Sequence, residues 1–151
     1  MMRWTRGEAD IERMLSAREL QRVQGDATDG AGWLEKAGVV LASARELVES
    51  DPNSAYTLAY DAARFACAGL LAQQGLRATT TGGHYAVQQA VSRQFGSAFE
   101  PFGVMRRRRN ELEYPIFPDE SVEQEEAEEA LDMAGSIIEA ARKVIDHLGL
   151  F

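Results

Sequence analysis

Apolar residues recur along this chain at helical spacing. Leu34, Ala37, Leu41, Ala44 and Val48 make one stripe; Tyr56, Ala59 or Tyr60, Ala63, Cys67 and Leu70 make a second. Ala127, Leu131, Ala134, Ile138, Ala141, Ile145 and Leu148 make a third and longer one. Each follows the i, i+3, i+4, i+7 rule of a helix with one buried face. The many alanines imply helices that approach closely. Two shorter helices are expected at 83–98 and 100–114, and a weaker amphipathic segment at 8–23 precedes everything. No segment alternates with the period of two that marks a strand.

Two glycine-rich stretches, 25–32 and 75–83, read as loops, and Pro115-Ile116-Phe117-Pro118 as a rigid break. Asp51-Pro52 suits a helix start, and Ser121 with Gln124, or Asp119, would cap the last helix. The expected fold is all-α, an antiparallel up-and-down bundle of five to six helices. It forms one domain over 1–151, with 1–30 an N-terminal helix and linker and 31–151 the bundle.

Composition adds bounds. A chain of 151 residues, 45% hydrophobic, can bury a core. No apolar run approaches the ~20 residues of a membrane helix, and the first residues lack a signal peptide's apolar stretch. The single cysteine, Cys67, has no internal disulfide partner. A cytoplasmic protein without membrane contact is expected.

The net charge of −8 is unevenly placed: eight of the 24 acids fall between Asp119 and Asp132, where there is no base, leaving 16 acids against 16 bases elsewhere. An acidic run at a helix start suits the helix dipole. The balance argues against duplex DNA, which needs many phosphate-neutralising cations, though not against a local basic site. Two distant histidines and one cysteine give no metal-ligand spacing. Neither a Walker loop nor a nucleophile elbow is present, and no cofactor is expected.

The informative stretch is Phe102-Gly-Val-Met-Arg106-Arg107-Arg108-Arg109-Asn110-Glu111-Leu112-Glu113-Tyr114. At 100° per residue with Phe102 at zero, Met105, Leu112 and Arg109 fall at about 300°, 280° and 340°. Arg109 is thus placed among the inward positions. Glu113, Arg106, Asn110 and Tyr114 follow from about 20° to 120° as a polar edge, and Arg107, Arg108 and Glu111 take the remaining face. A guanidinium drawn inward requires a carboxylate, a carbonyl or an anion. Glu113, four residues on, is the nearest partner, in the weaker orientation for such a pair. Arg109 is either ion-paired within the bundle or across a dimer, or part of an anion site.

At these residues the chain resembles the HEPN superfamily, small helical bundles of toxin–antitoxin and RNA-processing systems. The family signature is an arginine with a polar neighbour, then a histidine after four to six intervening residues. Arg109-Asn110-Glu111-Leu112-Glu113-Tyr114 reproduces the arginine, the asparagine and the spacing, with tyrosine in the histidine slot. The Ala62-Ala63-Arg64 pattern and Gly82-Gly83-His84 opening the next helix are also similar.

The resemblance implies RNA cutting without metal, by attack of a 2′-hydroxyl on the adjacent phosphate. The arginine would hold the phosphate and the histidine would move protons. Arg109 and Tyr114 therefore stand in the catalytic positions of a degenerate motif, and Arg106, Arg109, Asn110 and His84 are binding candidates. Tyrosine, with a reference pKa of about 10, is a poor base.

His84 at a helix start is either structural, an anion contact, or a substitute proton carrier. His147, expected in the last turn of the final helix, suits the dipole there. Phe95, Phe99, Phe102 and Phe117 read as core and turn anchors.

Three functions follow. The first is a homodimeric HEPN-like binding or regulatory module contacting RNA, a nucleotide or a protein partner through the Arg109 face. The second is a metal-independent toxin-type ribonuclease, and the third a structural adaptor. The resemblance also implies a nucleotidyltransferase-type antitoxin partner.

Overall fold

The computed structural model describes residues 2–151. Among them, six α-helices carry the fold: α1 (Glu8–Ser16), α2 (Gly30–Leu47), α3 (Pro52–Gln73), α4 (Gly83–Phe95), α5 (Glu100–Glu113) and α6 (Gln124–Ile145). The expected all-helical bundle is present. Helices α2, α3 and α6 pack together, while α4 and α5 lie against α3.

Small residues set the spacing. Along α3, Ala55, Ala59, Ala62, Ala63 and Ala66 are fully buried. Where α2 crosses α3, two glycines touch: a Cβ on Gly30 would fall 2.6 Å from the Gly69 carbonyl oxygen, and one on Gly69 would fall 2.9 Å from Trp33 Cβ. Alanine loses no side-chain entropy on burial, so such a face packs at low cost. All three sequence stripes end in one core, where Leu41, Ala63, Leu70, Leu131, Ile138 and Ile145 are buried.

The N-terminal segment departs from expectation. Helix α1 stops at Ser16, and Arg18 adopts a left-handed φ of 61°. The chain then forms β1 (Leu20–Arg22), antiparallel to β2 (Leu76–Ala78), with Leu20 opposite Ala78. Three residues per strand are too few to show alternation in sequence, which is why 8–23 reads as one helical segment and 75–83 as loop. The other glycine stretch contains a single 3₁₀ turn, Gly25–Thr28, before α2 begins at Gly30.

Smaller corrections concern the ends of α6 and the break before it. Asp51-Pro52 opens α3 as expected, with Asp51 accepting from the Ser54 N–H, but neither Ser121 nor Asp119 caps α6. Its cap position is Glu123, with no side-chain cap bond. The Val122 N–H goes instead to Asn53 Oδ1 at 2.6 Å, tying the loop to the start of α3. His147 lies beyond the helix end and is exposed. Phe99 and Phe102 are buried and Phe95 packs against the core, but Phe117 is exposed, since nothing folds over the proline-flanked break.

Ile138 is 2% exposed at the α3–α6 contact. Chemical denaturation of Ile138→Ala is expected to show a loss of about 2–5 kcal/mol, the cost of an unfilled core site.

Candidate functional site

Tyr60 is fully buried on α3, yet its polar end reaches the edge of the bundle. Its ring stacks on Phe102 of α5, with centroids 5.4 Å apart and planes 4° from parallel. Its hydroxyl lies 2.8 Å from His84 Nδ1, in the first turn of α4. The Arg109 guanidinium sits 5.9 Å from the Tyr60 ring centre. One core side chain therefore holds the first turn of α4 beside the arginine end of α5.

Arg109 is 24% exposed and pairs with Glu113 one turn on. It opens on a groove of about 230 Å³ shared with Leu112 and Glu113 of α5 and Asn53, Ser54 and Thr57 of α3. Beside the Glu113 carboxylate the groove offers the Arg109 guanidinium, the Thr57 hydroxyl and the Asn53 amide as donors to anionic oxygen, while the Ser54 hydroxyl already donates to Asp51.

Arg106 donates from Nε to Gln88 Oε1 at 2.6 Å and lies 5.2 Å above the Tyr85 ring. Its partners are neutral, so its charge is uncompensated. Arg107 is exposed, with no carboxylate in ion-pair range among the described residues. Arg108, on the remaining face of the wheel, is engaged by two carboxylates. Its Nε donates to Glu126 of α6 at 2.7 Å and its Nη1 to Glu111 at 3.0 Å, which raises its pKa. Of the four consecutive arginines, Arg108 is committed to packing α5 on α6.

The other sequence candidates separate. His84 joins the Arg109 neighbourhood through Tyr60. Its pKa is lowered by burial first, then by the positive charges of Arg64 and Arg109, against opposing effects of Asp61 and Glu113. Asn110 is exposed, and its carbonyl accepts the Tyr114 N–H that ends α5. Tyr114, in the histidine slot of the motif, is 74% exposed and makes no side-chain hydrogen bond among the described residues.

Sequence reasoning did not single out Tyr60 or the α3 residues Ser54 and Thr57. Tyr60 lies within an apolar stripe and reads as plain core. The only available signal was a phenol at a stripe position, which needs a polar partner when buried.

With this geometry in place, comparison with known proteins adds the family. The HEPN domain model matches residues 31–144. The chain belongs to the HEPN domain family. No curated protein and no solved structure matches it. The match runs from the start of α2 to the last turn of α6, so the HEPN bundle includes every element that shapes the Arg109 groove. Among the described residues no helix is long and apolar enough to cross a membrane, and no group of three or more His, Cys, Asp or Glu side chains is arranged to hold a metal ion.

The His84 shift has a measurable consequence. A histidine whose folded pKa lies below its unfolded value of about 6.5 takes its proton first in the unfolded chain. Its contribution is fully present above pH ~6.5 and is lost as pH falls through the folded pKa. His84 keeps one edge in solvent, so the effect is small. Melting curves at about pH 7.5 and 5.5 should show a smaller acid-induced drop for His84→Gln than for the wild type.

Proposed function

We propose that this HEPN protein is a homodimeric RNA-associated binding module that takes phosphate groups of single-stranded RNA on the Arg106–Arg109 edge of α5. The observation that carries this reading is the gathering of cations about one buried phenol. Arg64, Arg106 and Arg109 all act electrostatically on the Tyr60 hydroxyl, although burial still raises its pKa. Among the described residues only Glu113 meets Arg109 and only Asp61 meets Arg64, while Arg106 has a neutral partner.

Such a surface suits a ligand with spaced negative charges and exposed base faces. Tyr85, 53% exposed beside Arg106, offers a ring for stacking. Exposed Tyr114 at the helix end offers a phenol that can donate a hydrogen bond to phosphate oxygen.

Pairing of two chains about a two-fold axis would set two such edges side by side. Exposed Val104, Ile116 and Phe117, on and just after α5, supply apolar area for it. Sedimentation is then expected to give twice the 16.6 kDa of one chain. A nucleotidyltransferase-type partner covering the same edge fits this reading and the toxin–antitoxin associations of the family.

A second reading, a metal-independent ribonuclease, is favoured by one observation: the Tyr60 hydroxyl lies 2.8 Å from His84 Nδ1 while the Arg109 guanidinium sits 5.9 Å from the same ring, which brings an imidazole beside the arginine. One experiment separates the readings. The wild type should bind short single-stranded RNA in a salt-dependent manner without cutting it. Arg106→Ala and Arg109→Ala should each weaken binding and lower the log–log salt slope by about 0.7, one phosphate contact on a single strand. Tyr114→His should gain cutting that Arg109→Ala removes. Cutting by the wild type that His84→Gln abolishes would establish the ribonuclease instead. No RNA binding, with Arg109→Ala lowering only thermal stability, would leave a structural adaptor.

A further inference from the structure

A second and larger cavity, about 630 Å³, lies between α2, α3, β2 and α4 and shares no lining residue with the Arg109 groove. Its volume is in the range of small-molecule sites, about 300–1,000 Å³. The Trp33 indole, Leu71 and Val87 contribute apolar wall. Trp33 is braced by Phe65, with ring centres 5.6 Å apart.

Arg64 and Arg77 also line this cavity, with His84 beside them. Arg64 is incompletely satisfied. Its Nη2 stands 3.6 Å from Asp61, too far for a hydrogen bond, and its Nε is buried with no acceptor. A buried donor without an acceptor carries a desolvation cost that a bound anion removes. Arg77 has no carboxylate in ion-pair range among the described residues. Asp26 is the one acid on the wall, so cations outnumber acids two to one. The first turn of α4, which has no side-chain cap, adds to the positive potential.

We propose that this cavity is a binding site for a small organic anion: an aromatic or branched apolar body lies against Trp33, Leu71 and Val87, and a carboxylate or phosphate head meets Arg64 and Arg77. The apolar wall supplies affinity for the body, and the two guanidiniums select for charge. The cavity shares Arg64 and His84 with the surroundings of Tyr60, but Arg77 belongs to the cavity alone and Arg106 and Arg109 lie outside it, so a variant at Arg77 tests this site without touching the RNA edge.

The chain has two histidines, and only His84 lines the cavity. Their imidazole proton resonances therefore report location directly. In titrations of the full chain with 2-naphthoate, 2-naphthyl phosphate and neutral 2-naphthylmethanol, the two anions should move the His84 resonance saturably and leave His147 in place. The neutral probe should bind at least about tenfold more weakly. Comparison of the two anions shows which head group the site takes.

Ala68→Trp, which fills the cavity, and Arg77→Ala, which removes an exposed cation without touching the core, should each weaken the anions by about tenfold. Arg109→Ala should bind them as the wild type does. Circular dichroism checks the fold of Ala68→Trp, and if that variant unfolds, Arg77→Ala decides. An unmoved His84 resonance, equal binding of the neutral probe, or wild-type affinity in Arg77→Ala would overturn the proposal.

Discussion

The close approach of α2 to α3 is the constraint on which the rest of this bundle depends. Gly30 and Gly69 meet backbone to backbone, and five alanines between Ala55 and Ala66 are fully buried along the same helix α3. Because α3 is so thin on its packed sides, helices can gather about it at short range, and its few large residues act as spacers. Tyr56 and Tyr60 are those spacers toward α5 and α6. Burial pushes the Tyr56 phenol up to about 12, with Glu126 of α6 adding to the effect. Tyr60 does more, since one ring fixes Phe102 of α5 by stacking and His84 of α4 by hydrogen bond. The candidate site is therefore an outgrowth of core packing.

The helices were legible in the sequence because each carries a stripe long enough to establish its period. The strand pair was not, since Leu20–Arg22 and Leu76–Ala78 are ordered by each other across some fifty residues. Local reasoning also failed at the start of α6, where the Val122 N–H is satisfied by Asn53 of another helix rather than by a nearby cap. For the site, Arg109, Arg106, Asn110, Tyr114 and His84 could be named from the motif and its surroundings. The meeting of His84 with Arg109 and Arg106 could not, because it rests on Tyr60, whose stripe position makes it indistinguishable from ordinary core. Ser54 and Thr57 face Arg109 only through the packing of α3 on α5. The helical wheel likewise could not give Arg108 its partner, since the position of Glu126 depends on where α6 returns.

Charge placement explains how four consecutive arginines are divided. The acidic start of α6 engages α5 through Glu126 and Arg108. That pair spends one of the four cations on structure and leaves Arg106 and Arg109 on the opposite edge. A chain with net charge −8 repels polyanions at long range. Whatever affinity this edge has for phosphate must come from short-range contact, which is sharply salt-dependent.

In the RNA-binding reading, Arg109 is available to an anion and Glu113 only occupies it meanwhile. An i, i+4 pair with both side chains partly exposed contributes about 0.3–0.5 kcal/mol, and arginine preceding glutamate is the weaker order. Glu113→Gln is therefore the most direct measurement, read as RNA affinity alongside melting temperature. Removing the competing carboxylate should tighten binding severalfold while the melting temperature stays nearly unchanged. A clear loss of stability with no gain in affinity would mean that the Arg109–Glu113 pair is a structural strut, and would contradict the account.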